Sequence, residues 1–265
     1  MISEPNQPET SGRNVEHRIG ARFEVAATPD QVWEAITTAS GIAAWMVPSR
    51  VEEREGGEIA FNLHEDLWSV GHITTFDAPH VLRYVEPDWA EIAGHGQDSI
   101  SPMATEFLIE AQSGGTCIVR MVTSVFGTGA DWENEFFTDM SNSWLPLIDN
   151  LRLYVAHFAG LPVTMMHLAH HTLDGDSVTI KARLVNALDI ADIGQIVDTP
   201  NGPAVVERYE TGPILLRLAA ALIEIEMWPT ESDVACVLTA RQFPPSEPFS
   251  PDDWQHWLTG LVVRT

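Results

Sequence analysis

Apolar and polar positions alternate from the first ordered stretch of the chain. Ile19, Ala21, Phe23 and Val25 fall on one side and Arg18, Gly20, Arg22 and Glu24 on the other, the period-two pattern of a half-buried strand. The period then lengthens. Thr28 is suited to an N-cap, Pro29 to the first helical position and Asp30 to the positive end of a helix dipole. Val32, Trp33 and Ile36 form an apolar stripe at helical spacing. Ser40-Gly41 ends this helix, and a second short one over 42–46 stops before Pro48. Alternation returns over 51–54, 58–63, 68–76, 81–85, 105–111 and 116–126, with turns at Gly56-Gly57, at 77–80 and at Ser113-Gly114-Gly115. Residues 87–103 are polar and carry glycines, a length that marks a functional loop or lid. A last helical pattern covers 131–158, with Trp144, Leu147, Ile148, Leu151, Tyr154 and Val155 on one face and Pro146 predicting a kink or a join.

This order predicts an α+β fold. A curved antiparallel sheet cannot bury its apolar face alone, and a long C-terminal helix laid across it supplies the cover. A cavity is expected between the two. The chain divides into a polar tail read as disordered (1–14), a first domain (15–160) and a second, smaller α+β domain (161–265), with the boundary near Ala159-Gly160-Leu161-Pro162. In the second domain 177–185, 204–209 and 234–240 read as strands and 190–197 as a short helix. The segment 252–258 echoes the helix around Trp144. The domain is either a degenerate copy of the first or an unrelated α+β unit.

Composition narrows the function classes. Lys plus Arg total 14 against 38 Asp plus Glu, a formal charge of -24. Such a surface repels phosphate backbones and anionic membranes, so neither nucleic acid nor membrane is an expected partner. Cys117 and Cys236 are isolated, which gives no disulfide framework or cysteine metal site and fits a reducing cytoplasm. The N-terminal residues lack an apolar signal region, and no stretch of 18 apolar residues predicts a membrane span.

Four segments carry a resemblance to a known family. They are Thr28-Pro29-Asp30-Gln31-Val32-Trp33-Glu34-Ala35-Ile36 with Ile42 and Trp45; Glu55-Gly56-Gly57-Glu58-Ile59; Gly71-His72-Ile73 leading to Ala78-Pro79-His80-Val81-Leu82; and Gly114-Gly115-Thr116 followed by 144–151. In this order they resemble the START-like (SRPBCC) superfamily, in its AHSA-type branch, the activator of heat-shock-protein ATPase homologues, over about residues 17–160. The resemblance implies a helix-grip fold. It implies three functions: binding of a small hydrophobic or amphipathic molecule, the leading reading; a protein–protein module acting on a chaperone ATPase; or a cyclase- or hydrolase-like enzyme using the same cavity. Family members often carry cationic or aromatic residues after the second-helix tryptophan, whereas here Met46-Val47-Pro48 follow Trp45.

The candidate pocket residues are Trp45, Phe61, Trp68, His72, Tyr84, Trp89, Phe107, Arg120, Trp144, Ile148 and Leu151. They fall on elements around the expected cavity, which should be mainly apolar with a few polar groups. His95 adds a polar candidate from the long loop. Arg120 would anchor a carboxylate if its strand turns that face inward. Glu106 and Glu110 share one strand face, where burial would permit acid–base work and exposure would make them solvated. His167, His170 and His171 would share a face and fit zinc on a helix, but not on a strand. No GxSxG, P-loop or dinucleotide fingerprint occurs. No catalytic residue, metal or cofactor is assigned.

Overall fold

A computed structural model describes residues 15–64, 66–96, 100–230, 232–246 and 248–263; the tail over 1–14 lies outside them. The chain opens with β1 (Val15–Val25), α1 (Pro29–Thr37) and α2 (Ala39–Ala43). The N-cap of α1 is Thr28, and Thr28 and Gln31 exchange side-chain and backbone hydrogen bonds in a capping box. Six strands follow: β2 (Ser49–Val51), β3 (Glu58–His64), β4 (Leu67–Asp77), β5 (Val81–Glu86), β6 (Met103–Ala111) and β7 (Cys117–Gly127), with α3 (Trp89–Ile92) between β5 and β6. They form one antiparallel sheet in the order β1-β7-β6-β5-β4-β3-β2. α4 (Asp131–His157) lies against it as one continuous helix that contains Pro146. This is the helix-grip arrangement.

The second half comprises β8 (Thr164–Asp174), α5 (Ser177–Ala187), β9 (Ile196–Thr199), β10 (Gly202–Arg208), β11 (Ile214–Leu218), β12 (Ala221–Pro229), β13 (Asp233–Gln242) and α6 (Pro251–Val263). Its sheet runs β8-β13-β12-β11-β10-β9. In both halves the first strand pairs with the last and the others form a meander. The second half has one strand fewer and a single helix after its first strand.

Two sequence expectations fail here. Residues 177–185 form the helix α5, not a strand: Asp176 caps it by accepting from Thr179 N (2.9 Å), and Ile180 and Leu184 stack one turn apart into the core. Residues 190–197 form a turn leading into β9, held by Gln195, whose side chain accepts from Ala191 N (2.8 Å) and donates to the Asp189 carbonyl.

The second sheet is covered on both faces. Ile214, Leu216, Ile223, Ile225 and Leu238 pack with Ile180, Trp254 and Leu258 of its own helices. Leu215, Leu222 and Phe243 belong instead to the core of the first half. The Phe243 ring stacks on Phe158 at 4.2 Å and lies 5.7 Å from that of Tyr154. The long helix α4 is therefore enclosed by both sheets. Among the described residues no helix is long and apolar enough to cross a membrane.

Candidate functional site

The inner face of the first sheet is apolar over most of its area, and one polar stripe crosses it. Tyr84 on β5 is paired with Thr105 on β6, and Thr105 with Thr123 on β7. All three are buried. The two threonine hydroxyls lie 2.9 Å apart. One step along β5 on the same face stands Glu86, only 4% exposed, accepting a hydrogen bond from the Ser69 hydroxyl of β4. Gly71 gives this carboxyl its room: a Cβ there would lie 3.1 Å from Glu86 Cγ.

The stripe lies where two apolar clusters meet. Tyr84, Phe107 and Met121 belong to the main core, whereas Ile19, Trp89, Met103, Val125 and Phe137 form a smaller cluster at the end of the grip. Burial pushes the Glu86 carboxyl up to about 7, with the Ser69 hydrogen bond opposing the shift. Burial likewise holds the Tyr84 phenol well above its ordinary value, reinforced by the Glu86 charge and opposed by Thr105. Near neutral pH Glu86 thus exists in both forms. Protonated, it donates as well as accepts a hydrogen bond.

Tyr84 also borders the residual cavity of the grip. That cavity is about 10 Å³, bounded by Trp45, Phe61, Tyr84 and Phe107 together with Ile36, Ile42, Met46 and Ile59. It holds at most one water, so side chains fill the interior in this state. Trp45 is fixed by a hydrogen bond from Nε1 to the Ala35 carbonyl (2.9 Å).

The segment after β5 closes one end. Trp89 of α3 is buried, donates from Nε1 to the Ser101 carbonyl (3.0 Å) and packs on Phe136 and Phe137 at ring separations of 5.1 and 5.5 Å. His95 is exposed and stacks on Trp132 at 3.8 Å. Both contacts tie this segment to the first turns of α4. Beneath them His17 Nε2 lies 3.2 Å from Glu133 Oε2, with both residues buried. Glu133 also accepts from Thr128 N (2.9 Å), Thr128 Oγ1 (2.8 Å) and Gly129 N (2.8 Å). Burial acts to raise this carboxyl, but the four hydrogen bonds outweigh it and hold it below its ordinary value.

The candidates read from sequence separate into groups. Trp45, Phe61, Tyr84 and Phe107 converge on the cavity. Trp144, Ile148 and Leu151 place their α4 face in the main core, and Trp89 sits in the end cluster. Trp68 is half-buried, with the Arg50 guanidinium 4.0 Å above its ring, and His72 is exposed. Arg120 is on the outer face, 3.2 Å from Glu110, and Arg83 pairs with Glu106, so both glutamates are surface ion-pair partners. His167, His170 and His171 lie on strand β8, and the described residues contain no cluster of three metal-binding side chains. Glu86, Ser69 and Thr105 were not anticipated. The signal for Glu86 lay in 81–86, where alternation puts it in phase with Leu82 and Tyr84.

Residues 26–156 match the family model for activator of Hsp90 ATPase homolog 1-like proteins. Among solved structures, the Aha1 dimer from Colwellia psychrerythraea is 18% identical, with 52% of this chain and 96% of that one covered and a TM-score of 0.43. CalU16 from Micromonospora echinospora is 18% identical, over 52% of this chain and 76% of that one, with a TM-score of 0.40. DynU16, from the dynemicin biosynthetic locus, is 12% identical over 94% of this chain and 92% of that one, with a TM-score of 0.42. No curated protein matches. Over residues 26–156, within the first half, this chain is thus similar to the AHSA-type branch of the START-like superfamily.

Proposed function

We propose that the first domain binds a small, mainly apolar molecule carrying one polar group, held between the sheet and α4 with that group on the stripe of Glu86, Tyr84 and Thr105. The observation that supports this most is Glu86: a carboxyl buried in an apolar interior whose only side-chain hydrogen bond among the described residues is from Ser69. Burying a carboxyl costs stability, so its presence here favours a role. A neutral carboxyl beside a phenol and two hydroxyls suits a carbonyl or hydroxyl of a ligand. The filled interior requires the α3 segment and the Trp45 side to yield on binding. The apolar area buried would supply about 25 cal/mol per Å².

Native mass spectrometry of protein purified from its own host tests this. The expected result is an added small-molecule mass on the parent chain that is lost in Glu86→Leu. No added mass on the parent, or equal mass on both, overturns it. A second reading rests on the same residue. A carboxyl near pH 7 matches the range of a general acid, so turnover of the bound molecule that disappears in Glu86→Gln would make the site catalytic.

A further inference from the structure

A second concavity lies outside the grip, between the free edge of β1 and α4. It encloses about 290 Å³, at the lower end of small-molecule sites. Ala21 and Phe23 from β1 and Leu145 and Ile148 from α4 form apolar walls, and Arg22, Asp149 and Arg152 line it as well. Among the described residues β1 pairs with β7 alone, which leaves it an edge strand beside this groove.

The charges in the groove do not balance. Asp149 is engaged from the second domain by Arg208 Nη1 at 3.3 Å and lies 3.8 Å from Arg152 Nε. Arg22 has no ion pair among the described residues. It also stands directly opposite Arg120 in the β1–β7 register, a like-charge pairing that costs stability. Arg120 has Glu110 as a partner; Arg22 has none among the described residues. A chain with 38 acidic and 14 basic residues thus lines one partly apolar groove with two arginines, only one of which has a carboxylate partner among the described residues.

We propose that this groove binds a small organic carboxylate with a short apolar tail, the carboxylate between Arg22 and Arg152 and the tail against Phe23, Leu145 and Ile148. Guanidinium–carboxylate pairing supplies specificity for the anion, and the wall supplies affinity for the tail. This site is independent of the interior one.

Calorimetric titration of the full chain at low salt, with octanoate and with octanol, tests the proposal. Octanoate is expected to bind at least about tenfold more tightly than octanol, with about a tenfold loss in each of Arg22→Gln and Arg152→Gln. Added salt should weaken binding in the parent. Glu86→Gln should bind as the parent does, which separates this groove from the interior. Thermal melts of the variants confirm folding, since Arg22 is exposed and Arg152 half-buried. Octanoate binding that is absent, no tighter than octanol, unchanged in both arginine variants, or lost in Glu86→Gln overturns the proposal.

Discussion

At Glu86 the cost of burial becomes a pH dependence of stability. In the unfolded chain this carboxyl titrates near its ordinary 4.5, and burial in the fold pushes it up to about 7. A raised carboxylate pKa favours the protonated fold. Its full contribution is present below pH 4.5, and stability falls as pH rises from there through 7. The loss is on the order of 3 kcal/mol for a shift of this size. Glu86→Gln keeps a hydrogen-bonding amide of the same shape and removes the titration. It should therefore gain stability relative to the parent as pH rises, by up to that amount at pH 8, in urea unfolding followed at pH 5 and pH 8. An equal difference at both pH values would mean that the carboxyl is ionised in the fold throughout. The aromatic half of this site is legible in the sequence and the acidic half is not. Tyr84 and Phe107 were legible because large apolar side chains in phase on neighbouring strands must point inward. Glu86 obeys the same phase, yet a carboxylate next to a loop reads as solvated, and only the approach of Ser69 and Gly71 on β4 shows it enclosed.

At the scale of elements, the strongest local commitment is the start of α4. Its N-cap, Ala130, has no side-chain cap. Glu133 in the first turn replaces one, reaching back to Thr128 and Gly129 and across to His17. Gly127 is required here, because a Cβ at that position would run into the Glu133 carboxylate. Glu133→Ala removes four hydrogen bonds to a buried charge and leaves His17 without this partner, a loss of about 3 kcal/mol or more. Because Glu133 is held below its ordinary value, the contribution is present above pH 4.5 and lost as pH falls. Acid unfolding should therefore begin at higher pH in the parent than hydrophobic burial alone would set, and the parent and Glu133→Ala curves should converge at low pH. Most elements of the first half are legible, since most strands are bounded by Gly or Pro turns and α1 carries its own cap. In the second half β-branched residues misled. Val178, Thr179 and Ile180 suggest a strand, but Asp176 stops the backbone at an N-cap, and Ile180 and Leu184 follow the helical period. The same helical spacing was present in the sequence, outweighed by alternation over too short a window.

At the scale of the whole molecule, the question is what couples the two halves. The answer lies in a buried ion cluster on the face of the second sheet that meets α4. Glu224 accepts from Arg241 and from Arg208 (3.4 Å), and Asn150 of α4 donates to it at 3.1 Å. Arg208 reaches on to the Pro146 carbonyl (3.0 Å) and Arg241 to the Met46 carbonyl (3.1 Å). Burial acts to raise the Glu224 carboxyl, but Arg241, Asn150 and Arg208 outweigh it and hold it low. Both arginines thus tie the second sheet to backbone of the first half, and Glu224 is their shared counter-charge. Glu224→Gln leaves two buried guanidiniums without that charge, at a cost of about 3–5 kcal/mol. The cost falls on the contact between the halves as well as on the second sheet, which makes a separation of transitions the sharper readout. The parent should unfold in one step, because Leu215, Leu222 and Phe243 share a core with α4. In Glu224→Gln the second half should unfold first, with the signal of Trp254 and Trp257 preceding that of Trp45 and Trp144 in urea. Replacing Arg208, Glu224 and Arg241 together by methionine or leucine should recover most of the stability, since an apolar interface needs no counter-charge. If the triple variant stays as unstable as Glu224→Gln, the hydrogen bonds to Pro146 and Met46, rather than charge balance, hold the halves together.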